Sequence, residues 1–548
     1  MRRLLCIALC SSSAYAQITF EEIAKKSGLN FTLKNAARGQ YRQVELMPGG
    51  VAAFDYNNDG CADIYFTNGA ALPSLRKTGP EFSNRLFRNN CDSTFTDVTA
   101  KAGVAGEGYS MAVAAADFDN DGFADLFVAG VNRNILYRNR GDGTFEDVTQ
   151  KARVGGVDPK YGKMWSVSAG WFDYDNDGRL DLFVSNYVLW DPLKEKGCGP
   201  PDHRLYCHPD NYAGTPNQLF HNNGDGTFTD VSRASGIASH IGKGMGVSFA
   251  DFDGDGFTDI FVANDSIRNF LFRNKGNGTF EEVGLQSGVA LADHGNAIAG
   301  MGADFRDYDN DGRPDLVVTG MVNDTYLLFR NLGGKLFFED YTIRSGLARL
   351  TNQLTGWGMG LFDFDNDGWK DLFFANSHFP QLNRYLGTDS ELANSVFRNL
   401  GNGRFEDASA TAGEDFQGKA LYRGAAFADF DNDGRIDVVV SALNGPAKLF
   451  RNTTASSGHW LAIRLIGTHG NRDGLGARVC LTMPDGRKIY NHATTSVGYA
   501  SSSEKLVRFG LGAQERATVI EVQWPSGRLK VVNNVAADRV SEIREPSR

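Results

Sequence analysis

The chain has 548 residues and a formal charge of −10, from 56 Lys and Arg against 66 Asp and Glu. Its 41% hydrophobic and 11% aromatic content, with 64 Gly and 15 Pro, excludes a disordered chain and suits many tight turns. No basic stripe points to nucleic acid, and no run after the first residues is long enough to span a bilayer.

The N-terminus has Arg2 and Arg3, a short apolar run over residues 4–10 and the small-residue site Ala14-Tyr15-Ala16. This pattern predicts a secretory signal, residues 1–16, cut after Ala16. Next comes "ITFEEIAKKSGLNFT" over residues 18–32, an isolated copy of a segment that recurs later.

From residue 55 onward one motif repeats: D-x-[DN]-x-D-G-x-x-D followed by an apolar run. The candidate ligands are Asp55, Asn57, Asp59 and Asp63 in the first loop, and Asp117, Asp119, Asp121 and Asp125 in the second. They are Asp173, Asp175, Asp177 and Asp181 in the third, and Asp251, Asp253, Asp255 and Asp259 in the fourth. The last three loops offer Asp307, Asp309, Asp311 and Asp315; Asp363, Asp365, Asp367 and Asp371; and Asp429, Asp431, Asp433 and Asp437. Self-similarity of this kind indicates a solenoid, a propeller or an array.

Each unit reads as four short strands. One enters the Asp loop ("MAVAAADF") and one leaves it ("ADLFVAG"); the third is "ILYRN" and the fourth "TFEDVT". Four antiparallel strands of this length make a propeller blade. The seventh unit lacks its fourth strand, and the spare copy lies at residues 18–32. Borrowing that strand would close a ring and remove open sheet edges. The expected fold is therefore all-β, a closed seven-bladed β-propeller over residues 17–453.

Carboxylates at loop positions 1, 3, 5 and 9, with Gly at 6 for the turn, form a hard-oxygen set suited to Ca²⁺. Neither Cys nor His belongs to the motif, which disfavours Zn²⁺ and copper. Up to seven Ca²⁺ are expected, each stapling the first hairpin of a blade. Asn57 makes the first site the least charged. The seven motifs hold 27 of the 66 acidic residues, so the acidity is mostly ligand and says little about basic partners.

Of the remaining cysteines, Cys61 and Cys91 fall in one repeat, and Cys198 and Cys207 bracket a Pro-rich loop; two disulfides are expected. Cys480 is left over as a buried thiol. The longest inter-loop step carries the insertion "NYVLWDPLKEKGCGPPDHRLYCHPDNYAGTPNQ" in the third unit. With the preceding connection it offers Tyr161, Trp165, Trp190, His203, Tyr206, His208 and Tyr212 as an aromatic ligand patch on the metal-free face. The alternative is that these rings only pack the loop down. A longer turn in the sixth unit adds His378, Phe379 and Tyr385. There is no G-x-S-x-G, H-E-x-x-H or Walker loop, so no enzyme is expected; a lectin or carbohydrate-active enzyme stays open as the second reading. The polar residues Asp304, Arg306 and Arg423 read as channel-lining structural groups.

After a linker at residues 454–459, alternating strands such as "WLAIRLIG", "ARVCLTM" and "TVIEVQW" predict a small β-sandwich over residues 460–545. The Asp loops with their flanking strands resemble the FG-GAP (VCBS-type) repeats of integrin α-subunit propellers. "GLGARV", "SVGYASSS", "RFGLG" and "WPSG" are similar to the ASPIC/UnbV domain. Together they resemble the cartilage acidic protein family and its bacterial secreted relatives. The resemblance implies a secreted or periplasmic calcium-binding propeller for adhesion or ligand binding, with an extracellular protein or glycan as partner.

Overall fold

The computed structural model describes residues 17–200, 202–334, 338–381, 387–455 and 457–547. The expected signal segment lies outside them, as does Tyr385. No helix among the described residues is long and apolar enough to cross a membrane.

The repeats fold as seven four-stranded antiparallel sheets. In the second, Tyr109–Ala116, Asp125–Val131, Ile135–Asn139 and Phe145–Asp147 follow one another. The first two strands of this sheet are buried throughout, because sheets pack on both of its faces, and they read as Ala, Val, Leu and Phe for that reason. The seventh sheet takes its fourth strand from the start of the chain. Phe20 pairs with Asn452 and Glu21 with Arg451, the register by which Phe145 pairs with Asn139 and Glu146 with Arg138. The first strand of each sheet packs beside that of the next, and the seventh beside the first.

Two sets of side-chain amides tie neighbouring sheets. The Asn ending each third strand donates to the backbone carbonyl at loop position 2 of the preceding repeat. Asn139 reaches Tyr56 at 2.7 Å, Asn222 Phe118 at 2.8 Å, and Asn89 reaches Phe430 of the seventh repeat at 2.7 Å. The position-4 Asn donates the other way, to the position-6 Gly of the following repeat: Asn58 to Gly122 at 2.8 Å and Asn432 to Gly60 at 3.3 Å. These Asn sit at φ 55–58°, a left-handed conformation that Asn tolerates better than other side chains.

A left-handed residue also ends the turn after each fourth strand. Six repeats place glycine there: Gly28, Gly103, Gly236, Gly288, Gly346 and Gly413. The exception is Arg153, at φ 65°, which costs about 1 kcal/mol relative to a relaxed residue.

The C-terminal strands form two sheets, a four-stranded antiparallel one and a three-stranded one in which His459–Ile466 runs parallel to Arg539–Arg544. Leu461, Ile463 and Leu465 of one and Val479, Leu481, Ile520 and Val522 of the other share a core, as the sandwich pattern predicts. The segment at residues 496–503 bonds to the first strands of five repeats. Gly498 N donates to Ala303 O at 2.9 Å, Ala500 N to Ser168 Oγ at 3.1 Å and Ser502 N to Val51 O at 3.0 Å. Val113 N donates to Ala500 O at 3.2 Å, and Phe427 N to Ser503 Oγ at 3.2 Å. The segment is mostly Ser, Gly and Ala, with Val497 and Tyr499, and the fit is close: a Cβ at Gly424 would lie 2.5 Å from Ser501 Oγ. Only that run of small residues marks this insertion in the sequence.

Candidate functional site

Every Asp loop is built by the same local bonds. In the sixth, Asp363 accepts from the backbone N–H of Asp367 at 3.0 Å and Gly368 at 2.8 Å. Asp367 accepts from Trp369 N at 2.9 Å. Asp371 accepts from Phe364 N at 2.9 Å and, across the sheet, from Asn399 N at 2.8 Å. These bonds fold the loop inward and bring the carboxylates together. Ligating atoms of Asp117, Asp119 and Asp125 lie within 4.8 Å of one another, as do those of Asp173, Asp175 and Asp177 and of Asp251, Asp253 and Asp255.

The arrangement is electrostatically costly by itself. Burial, with the neighbouring carboxylates adding to it, pushes Asp117 to about 7 and Asp173 to about 8. Asp125, Asp259, Asp315 and Asp437 are driven well above the usual range by burial first. Position-3 oxygens in four loops, Oδ1 of Asp175, Asp309, Asp365 and Asp431, are buried with no hydrogen-bond partner. An orphaned buried carboxylate oxygen calls for a cation, and an all-oxygen set of this charge fits Ca²⁺.

The arginine preceding the strand-ending Asn was not foreseen as part of the site. Arg398 bonds Asp365 at 2.9 Å and Asp367 at 3.0 Å; Arg273 bonds Asp253 at 2.6 Å; Arg330 bonds Asp309 at 2.7 Å. In the third repeat His221 takes this place, 3.2 Å from Asp181 and 3.4 Å from Asp175. Where Arg398 and Arg330 engage Oδ2 of the position-3 Asp, its Oδ1 is left to the loop interior. The signal was the "LFRN" repeat, whose polar half does not belong to a strand core.

The first loop differs. Asn57 donates to Asp59 Oδ2 at 2.7 Å, and a disulfide joins Cys61 of this loop to Cys91 in the turn beside it. The Cys198–Cys207 disulfide is also formed. Cys480 is a free thiol, half-buried rather than buried, and raised by burial.

At the other end of the strands, the third-repeat insertion corrects the expected aromatic patch. Trp165, Trp190 and Tyr212 are 1%, 7% and 7% exposed, so they pack the loop rather than face a ligand. Trp190 Nε1 and the Tyr212 hydroxyl both donate to Glu195, at 2.7 and 2.6 Å, and Trp165 lies 5.4 Å from Trp190. Tyr206 bonds Glu45 at 3.1 Å, and its N–H reaches Gln381 of the sixth repeat at 2.9 Å. Tyr161 is half-buried; His203 and His208 remain exposed. His378 is buried against Thr355, and Phe379 packs on Trp357. The channel groups are structural: Asp304 accepts from Leu361 N at 3.0 Å, Arg306 bonds Asn491 at 3.0 Å, and Arg423 lies 4.0 Å above Trp357.

The C-terminal domain docks on the loops. Arg508 reaches Asp429 at 3.1 Å, and Lys370 donates to the carbonyls of Asp307 and Tyr490 at 2.7 and 2.8 Å.

Sheet order and loop chemistry define an all-β, propeller-like repeat protein with acidic turn sites. The FG-GAP-like repeat matches residues 55–128, 117–184, 205–262, 251–318, 307–374 and 363–440, and the ASPIC and UnbV domain residues 467–548. The chain belongs to the FG-GAP-like repeat family and carries a C-terminal ASPIC and UnbV domain. Its relatives include cartilage acidic protein 1 of Mus musculus, 26% identical over 90% of this chain and 73% of that protein. The Homo sapiens protein is 27% identical over 69% of this chain and 53% of its own length. Among solved structures, an Agrocybe aegerita lectin that recognises non-reducing terminal N-acetylglucosamine covers 74% of this chain and 88% of its own, at 17% identity and a TM-score of 0.39; that likeness is too weak to argue from.

Proposed function

We propose that this chain is a secreted calcium-binding protein that acts by extracellular binding or adhesion on a closed seven-bladed propeller. Ca²⁺ in the Asp loops neutralises clustered carboxylates and staples the first hairpin of each blade, and ligand contact is through the opposite face, around the third-repeat insertion. The observation that carries this reading is the set of buried, partnerless position-3 oxygens in four loops. The borrowed N-terminal strand supports ring closure, and two disulfides support an oxidising compartment. Binding is favoured over catalysis because the paired carboxylates are accounted for by the loops.

The test is thermal unfolding with Ca²⁺, Mg²⁺ and chelator, with elemental analysis of bound metal. A calcium-specific gain with about six or seven ions per chain is expected; no metal and no shift would sink it. For the ligand face, deletion of residues 191–213 should abolish capture of extracellular partners while the calcium-dependent melt persists.

A further inference from the structure

One groove of the molecule lies away from the loops and is not part of the aromatic patch. It is open, about 1350 Å³, and is formed by the second turns of the first and second repeats, the connection from the second to the third, and Leu193 of the insertion. Its charge runs against that of the protein: four arginine and lysine side chains line it besides Lys77, which is turned onto backbone carbonyls, against two acidic ones. Both acids are already taken by one cation, since Arg133 pairs with Glu107 at 2.8 Å and Asp147 at 3.8 Å. Arg76, Arg153 and Lys163 line the groove without an ion pair or side-chain hydrogen bond among the described residues.

Arg153 supplies an independent observation. It is the one residue of seven equivalent turns that is not glycine, and it holds a left-handed φ of 65°. Glycine would relieve that strain without breaking a side-chain hydrogen bond or ion pair among the described residues, since Arg153 is exposed and makes none. Strained residues of this kind persist where the side chain is used. Here the strain places a free guanidinium on the groove wall.

We propose that this groove binds an acidic protein segment bearing apolar side chains. Unpaired cations attract carboxylates and speed encounter. Val157 and Leu193, 59% and 79% exposed, give apolar side chains a place to rest. No aromatic ring among the described residues lines the groove, so it lacks the stacking surface a sugar chain uses. The proposal rests on the extracellular-binding reading above and names its partner class.

The test uses the mature chain in calcium and a fluorescein-labelled peptide of four Glu-Glu-Leu units, read by fluorescence anisotropy, with polygalacturonate as competitor. Arg153→Glu is expected to weaken binding about tenfold, while the same charge change at exposed Arg539, R539E, leaves it unchanged. Arg153→Gly is expected to weaken binding yet raise the melting temperature by about 1 °C, which a purely structural arginine would not do. Equal binding by wild type and R153E, no binding of the peptide, or capture of polygalacturonate in its place would each overturn the proposal. The calcium-dependent melt of the same samples separates the two readings: peptide failure with an intact calcium shift overturns the groove alone.

Discussion

The first and sixth Asp loops are the same hairpin held by different chemistry. In the sixth, the loop carries four aspartates, Asp365 and Asp371 are buried, and Asp365 keeps an unpartnered oxygen. In the first, Asn57 replaces one carboxylate and hydrogen-bonds Asp59, and a disulfide links the loop to its neighbouring turn. A covalent bond there does what charge neutralisation is proposed to do elsewhere. The difference teaches that what the architecture needs at this corner is a tether, and that a metal is one way to supply it.

Removing metal should have the largest effect and should spare the first loop. At a hundredfold excess over Kd each occupied site adds about 2.7 kcal/mol, so chelator is expected to lower the melting temperature more than any substitution, with calorimetry as the readout. The pH slope should invert as well. Without calcium, burial holds Asp63 and Asp173 up at about 8 and Asp307 at about 7. The folded chain then binds more protons than the unfolded one between pH 3.8 and about 8, and stability falls as pH rises through that window. With calcium, protons compete with the ion and stability rises over the same range. Parallel slopes in the two conditions would break the calcium reading.

Next in size is the pair Cys61→Ser and Cys91→Ser, expected to cost about 3 kcal/mol equally with calcium and with chelator. A cost that vanishes in calcium would mean the first loop is held by metal after all. Asp365→Asn turns the sixth loop into a copy of the first without its disulfide. It should lose one bound ion and cost about 2 kcal/mol more in calcium than in chelator, where only the weakened buried pair with Arg398 is felt, measured by metal analysis and melts. The smallest effect is expected from Asn57→Asp, which should tighten the first site in a calcium titration while costing less than about 1 kcal/mol in chelator.

The repeat architecture was legible because its period is carried by polar residues: an Asp loop cannot be mistaken for a strand, and a missing "TFEDVT" at one end with a spare at the other predicts the pairing of Phe20 with Asn452. The clustering of the loop carboxylates was legible for the same reason. The aromatic patch was misplaced because Trp165, Trp190 and Tyr212 have the composition of a binding face, and only the position of Glu195, which accepts from two of them, reveals a packing cluster. The docking of residues 496–503 was hidden because small residues carry no periodic signal. Arg153 was visible as a break in "KKSGL", "AKAGV", "RASGI" and their relatives, yet its meaning needs the dihedral angle.

The pairing of Phe20–Glu22 with Lys448–Asn452 also has a consequence in time. At about 5–20 residues per second, the first strand emerges about 20–90 s before its partner exists. For that interval Phe20 has no sheet to enter, and the three-stranded seventh sheet, once made, presents a bare edge until the oldest part of the chain returns to it. Assembly is therefore gated by the reunion of its earliest and latest strands, and a factor that shields short β-edges would act on this chain during synthesis rather than after it.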